Sequence, residues 1–147
     1  MGIRASKGFR VFSFNRLMPE TMEHNMVGWF EIPVTDLQRA RSFYEAVFEI
    51  DIRLHRMGDL EMGWFPMANG KSGAPGSLVK HSDFYHPSAT AGVVIYFSCE
   101  DVGPTLERVT KAGGRVLQPK KAIGEGIGYM GLFLDSEGNR IALHSAK

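Results

Sequence analysis

The feature that most constrains this chain is a stretch in which one strand runs straight into one helix, from Gly28 to Phe48. Phe30, Ile32 and Val34 alternate with Trp29, Glu31 and Pro33, the period-2 pattern of a strand with two chemically different faces. Pro33 cannot donate to a ladder, so it belongs at a strand end or an edge. Asp36 stands where an N-cap carboxylate accepts from the free N–H groups of a first helical turn. Leu37, Ala40, Phe43, Tyr44, Val47 and Phe48 then recur at helical spacing. One strand face and one helix face must therefore meet in a core.

The same grammar returns 65 residues later. Val93 to Cys99 reads as a strand, Asp101 as the cap, and Val102, Leu106 and Val109 as the buried helix face before the stop at Gly113-Gly114. A repeat of this length within 147 residues makes one domain of two similar units, large enough to bury roughly 70% of its unfolded surface. A net charge of +1, with 17 basic and 16 acidic residues and no run of one sign, gives no reason to expect nucleic acid or an anionic membrane as partner. No segment has membrane-spanning length. The single cysteine, Cys99, cannot form an intramolecular disulfide and reads as a small buried hydrophobe in a strand. The expected compartment is reducing and cytoplasmic.

Between the two strand-helix pairs, residues 50–54 and 60–67 read as strands across a turn at Met57-Gly58-Asp59. Asn69 to Gly76 reads as a loop, and residues 77–80 as a closing strand. The second unit follows the same order: strands at 93–99, 115–118, 128–134 and 140–145, a helix over 102–112, a glycine-rich connection at Gly124-Glu125-Gly126, and a turn at Asp135 to Asn139. The fold class is α+β, two tandem βαβββ modules. Module one spans 27–80, a linker 81–91, and module two 92–146, together one domain over 26–147. Residues 1–25 lack the pattern and read as a flexible extension, with translation from Met22 or Met26 an alternative start. Met1 to Ser6 also matches the myristoylation pattern, and the acid-poor start resembles a transit peptide.

Three segments carry a resemblance: Pro-Val-Thr-Asp-Leu with Phe-Tyr-Glu-Ala-Val-Phe, Lys-Ala-Gly-Gly-Arg-Val, and Phe-Leu-Asp-Ser-Glu-Gly-Asn-Arg-Ile. In this order they resemble the vicinal oxygen chelate superfamily, which includes glyoxalase I, extradiol dioxygenases and the bleomycin and fosfomycin resistance proteins. The resemblance is nearest to the small bacterial lactoylglutathione lyase-related proteins and covers residues 27–146. It implies curved sheets forming a cup-shaped mixed sheet with helices outside, and commonly a homodimer. In metal-dependent members it also implies His, Glu or Gln ligands on the first and last strand of each module. Here the first-strand positions hold Trp29 and Val94, and the last-strand positions fall at Ser77 or Leu78 and at Ala142. The expectation is no metal cofactor, with a divalent metal held only through displaced ligands such as Glu31 and His144. Glu49 stands where the family usually has a glycine to end the first helix, so a left-handed glutamate is expected there.

Strand alternation nominates Trp29, Glu31, Met62, Val94, Tyr96, Tyr129 and His144 as ligand-binding, with Ser98 and Ala142 beside them. Glu31 is read either as a general base, its pKa raised by desolvation, or as an exposed strand carboxylate. His144 is read as a shifted ligand, a proton carrier or a capping group. His81, Asp83 and His86 form a spaced set that reads as solvated linker residues or as a zinc site. The glycine-rich run at 124–128 lacks the ending of a phosphate loop and reads as a hinge or lid. Two functions follow. One is binding of a small organic molecule in an aromatic-lined cup. The other is a lyase, isomerase or dioxygenase-like enzyme acting on a carbonyl-containing substrate through Glu31 or a displaced metal, with glyoxalase I chemistry disfavoured.

Overall fold

The computed structural model describes Asn25 and residues 27–147. The expected N-terminal extension and its targeting motifs lie outside the described residues, apart from Asn25. From Phe30 onward the chain runs β1 (Phe30–Pro33), α1 (Leu37–Phe48), β2 (Arg53–Met57), β3 (Leu60–Trp64) and β4 (Gly76–Lys80). It continues through β5 (Tyr96–Ser98), α2 (Val102–Lys111), β6 (Arg115–Gly124), β7 (Gly128–Leu134) and β8 (Arg140–Ser145). Each βαβββ unit makes its own four-stranded mixed sheet, in the orders β1-β4-β3-β2 and β5-β8-β7-β6. The first strand of each lies parallel to the last, and the remaining pairs are antiparallel.

Both helices start at the expected aspartates. The Asp36 carboxylate accepts from Arg39 N–H at 3.0 Å, and Asp101 from Gly103 N–H at 2.9 Å. The apolar face of α1, including Ala40, Phe43, Tyr44 and Val47, is buried. It meets Ile32, Val34 and Leu78 of the first sheet and, through Phe133, Ile141 and Leu143, the second. Glu49 closes α1 at φ 56° and ψ 49°, the left-handed conformation expected there. Its side chain is exposed and reaches Arg108 only at 3.9 Å, so little offsets the backbone strain. Glu49→Gly is expected to stabilise the fold by about 0.5–1 kcal/mol, read as a rise in urea midpoint at constant slope.

Several strands differ from the sequence reading, and β3 ends at Trp64 rather than residue 67. β2 begins at Arg53 rather than residue 50, because Ile52 is buried in the core and its N–H is taken by the Glu45 carboxylate at 2.9 Å. β5 is cut to Tyr96–Ser98, the part in register with Ala142, Leu143 and His144. β6 extends to Gly124, so the glycine-rich run is the tight end of the β6–β7 hairpin.

β1 and β5 are edge strands of separate sheets, and no ladder joins them. Aromatic rings make the seam instead: Phe97 packs on Phe30, Phe48 and Phe65 with centroids 5.6, 4.7 and 5.5 Å away. The turn 135–139 of module two is the second fastening. Asp135 accepts from the N–H groups of Glu137 and Asn139, from the Asn139 amide, and from the Tyr44 hydroxyl of α1 at 2.7 Å. The Asn139 amide also donates to the Pro33 carbonyl at 2.8 Å. Glu137 accepts from the N–H groups of Thr35 and Asp36 and from Arg39 Nε. A turn from one module thus caps the helix of the other. Burial pushes the Tyr44 hydroxyl pKa well up, reinforced by the neighbouring Asp135 charge. Burial also raises the Asp135 pKa despite its donors. At Glu137 burial is outweighed by Arg39 and the two backbone donors, which hold its carboxyl below the usual range.

Candidate ligand-binding site

Register sorts each strand's side chains between a face that meets the helices and an opposite face. Ile32, Leu78, Phe133, Ile141 and Leu143 belong to the core, so the alternate positions point the other way. On the first sheet this places Glu31, Ser77 and Trp64 side by side across β1, β4 and β3, with Met62 and Val79 in the next row. On the second it places Tyr96, Ala142 and Leu132 in one row, and Ser98, His144 and Met130 in the next.

Tyr129 lies on the face opposite to the one expected for it. It pairs with Ser145, on the same face as Phe133, and packs against the core cluster with Lys120 above its ring. Met130 holds the position expected of it. The buried state of Phe133, two pairs of residues along the same strand, is the signal that identifies this face.

Trp29 and Glu31 are brought together: the indole Nε1 donates to Glu31 Oε1 at 3.3 Å, and the Tyr85 hydroxyl from the linker donates to Glu31 Oε2. This raises the Tyr85 pKa, with burial adding to the effect. Trp64 lies edge-on to Trp29 at 5.6 Å and against His55 at 4.0 Å. Met62 is buried beside them. The Trp64 indole nitrogen and the Ser77 hydroxyl are buried without a hydrogen-bond partner. His144 is engaged elsewhere, its Nε2 2.8 Å from the Ile127 carbonyl at the β6–β7 hairpin. No described contact links it to Glu31.

Val94 and Tyr96 line a third environment. A groove of about 540 Å³ opens along the seam, walled by Phe30, Phe48, Phe65 and Phe97, the loop Ser72–Pro75, and residues 94–98. Sequence reasoning missed Phe30 and Phe97 as site residues because, on β1 and β5, their parity is that of core positions, and Phe48 because it ends the apolar face of α1.

The positions that the family resemblance gives to metal ligands carry Trp29, Ser77 or Leu78, Val94 and Ala142. Only Ser77 offers a lone-pair donor, a neutral hydroxyl, so as a set these side chains do not fit a divalent cation. Among the described residues no three His, Cys, Asp or Glu side chains converge. In the linker, His81 Nδ1 accepts from Asp83 N–H and His86 Nε2 lies 3.3 Å from the Asp83 carbonyl, so their contacts are to backbone. Burial pushes the Cys99 thiol pKa up, which favours the inert reading of that residue.

Paired βαβββ units, each with a helix packed on one face of a four-stranded mixed sheet, define the class of protein. The chain belongs to the glyoxalase/bleomycin resistance protein/dioxygenase superfamily, whose sequence model matches residues 26–143. A glyoxylase-like domain-containing protein of Didymella fabae is 28% identical over 123 residues, covering 82% of this chain and 93% of its own. Among solved structures, a glyoxylase/bleomycin resistance protein/dioxygenase domain from Frankia sp. EAN1pec matches with a TM-score of 0.65 at 17% identity, over 84% of this chain and 98% of that one. An antibiotic-binding protein from Streptomyces sp. CB03234 matches with a TM-score of 0.60 at 21% identity, over 86% of this chain and all of that one. At these identities the structural matches establish fold. No helix among the described residues is long and apolar enough to cross a membrane.

Proposed function

We propose that this domain binds a small, planar and largely apolar organic molecule in the seam groove without the help of a metal. The groove carries the reading: about 540 Å³ falls within the range of sites that enclose such ligands. Four phenylalanine rings supply dispersion and stacking area, while the Tyr96, Ser72 and Ser98 hydroxyls are available to orient one polar substituent. The donor-poor set Trp29, Ser77, Val94 and Ala142 supports binding over metal-assisted chemistry. The Streptomyces neighbour of the same fold is described as antibiotic-binding, which supports a ligand-binding reading.

N-phenyl-1-naphthylamine, a neutral planar fluorophore, is the probe for the test. Its fluorescence is expected to rise saturably with EDTA-treated protein and to stay unchanged on adding Ni, Zn, Mn or Fe. Val94→Trp, which fills the groove from its rim, is expected to weaken binding by about tenfold or more. Binding that appears only with metal, or that ignores Val94→Trp, would overturn the proposal.

A further inference from the structure

At another part of the seam lies a smaller cleft, about 210 Å³, whose lining overlaps the large groove only at Ile95. Its walls come from Glu31 to Pro33, from linker residues including His86 and Ser88, and from Asn139 to Ile141. Two residues of opposite charge, Glu31 and Arg140, are among its lining, and among the described residues neither has an ion-pair partner. Glu31 is held only by the neutral donors Trp29 and Tyr85. The Arg140 backbone N–H donates to the Ser88 carbonyl, while its guanidinium takes part in no described hydrogen bond or ion pair. Other charged side chains at the seam are consumed: Glu137 by Arg39, and Asp135 by Tyr44 and Asn139. Two opposite charges that share a cleft without bonding each other present complementary ends to a third body. A carboxylate accepts an ammonium, and a guanidinium holds a carboxylate through paired N–H donors.

We infer that this cleft is a binding site for a small zwitterion of the amino-acid type, its ammonium on Glu31 and its carboxylate on Arg140. The Asn139 amide accepts from the Ser88 N–H and donates to Asp135, and the Ser88 hydroxyl accepts from the Ala91 N–H, so both hold the walls in place. Tyr85 fixes one oxygen of the Glu31 carboxylate from the linker side, and the Trp29 indole N–H holds the other. The linker between the modules is in this view a wall of the site.

The test uses the whole chain and three probes by isothermal calorimetry: L-phenylalanine, phenethylamine, which lacks the carboxylate, and 3-phenylpropionate, which lacks the ammonium. L-phenylalanine is expected to bind at least roughly tenfold more tightly than either analogue. Glu31→Gln should remove its preference over 3-phenylpropionate, and Arg140→Gln its preference over phenethylamine, with Arg140→Lys restoring part of the latter. Val94→Trp, which blocks the large groove, should leave L-phenylalanine binding unchanged, so this inference and the groove reading fail separately. The analogue series on the unaltered protein needs no variant to fold. Equal binding of the three probes, absence of L-phenylalanine binding, or retention of its preference in folded Glu31→Gln and Arg140→Gln proteins would overturn the inference.

Discussion

Asp135→Ala is expected to lower the melting temperature by roughly 10 °C or more, a loss of about 3–5 kcal/mol. One buried carboxylate serves four donors from two modules: two backbone N–H groups of its own turn, the Asn139 amide and the Tyr44 hydroxyl. Its removal strands these donors away from water, and each buried unpaired donor costs about 1–3 kcal/mol. It also releases Glu137 from the α1 N-terminus, because the turn that aims it is lost. Tyr44→Phe, which deletes only the inter-module bond, should cost about 1–2 kcal/mol. Thermal melts of the two variants separate the turn from the docking contact. Equal losses would place the whole effect in the Tyr44 bond.

Gly128→Ala should be nearly as damaging, about 3 kcal/mol. Gly128 has φ +101°, a conformation that side-chain-bearing residues rarely adopt, and an added Cβ would collide with the Ser145 carbonyl of the adjacent strand. That carbonyl cannot yield, since it is backbone at the point where β7 meets β8. Faster amide exchange confined to residues 128–131 and 142–145 would accompany the loss. Unchanged exchange with unchanged stability would mean that the hairpin end relaxes freely.

Both variants act on features that the sequence marked only in part. The Asp135–Asn139 motif announced a turn, since an aspartate followed by Gly138 and Asn139 binds its own backbone. That its carboxylates would cap the helix of the other module depends on contacts about a hundred residues apart in the chain. The site divides the same way. Trp29 and Glu31 were legible as neighbours from strand alternation, and they do share a hydrogen bond. Tyr85 was invisible as a site residue, and His86 was read only with His81 and Asp83 as a zinc set or solvated linker residues, because a linker has no periodicity to place them.

Local physics determined the elements. Alternation with helical spacing, two capping aspartates and the repeat at 65 residues sufficed for two βαβββ units, and α1 begins and ends where that pattern says. Those signals act within a few residues, so they survive without tertiary context. Tertiary structure decided which faces are free. β1 and β5 end as edges joined by aromatic rings, and the expected set of site residues is divided among the Trp29, Glu31 and Met62 side of the first sheet, a seam groove at Val94 and Tyr96, the β6–β7 hairpin at His144 and a helix-facing ring at Tyr129. Periodicity states that a strand has two faces. Only the packing of the other module onto one of them determines what the second face can hold.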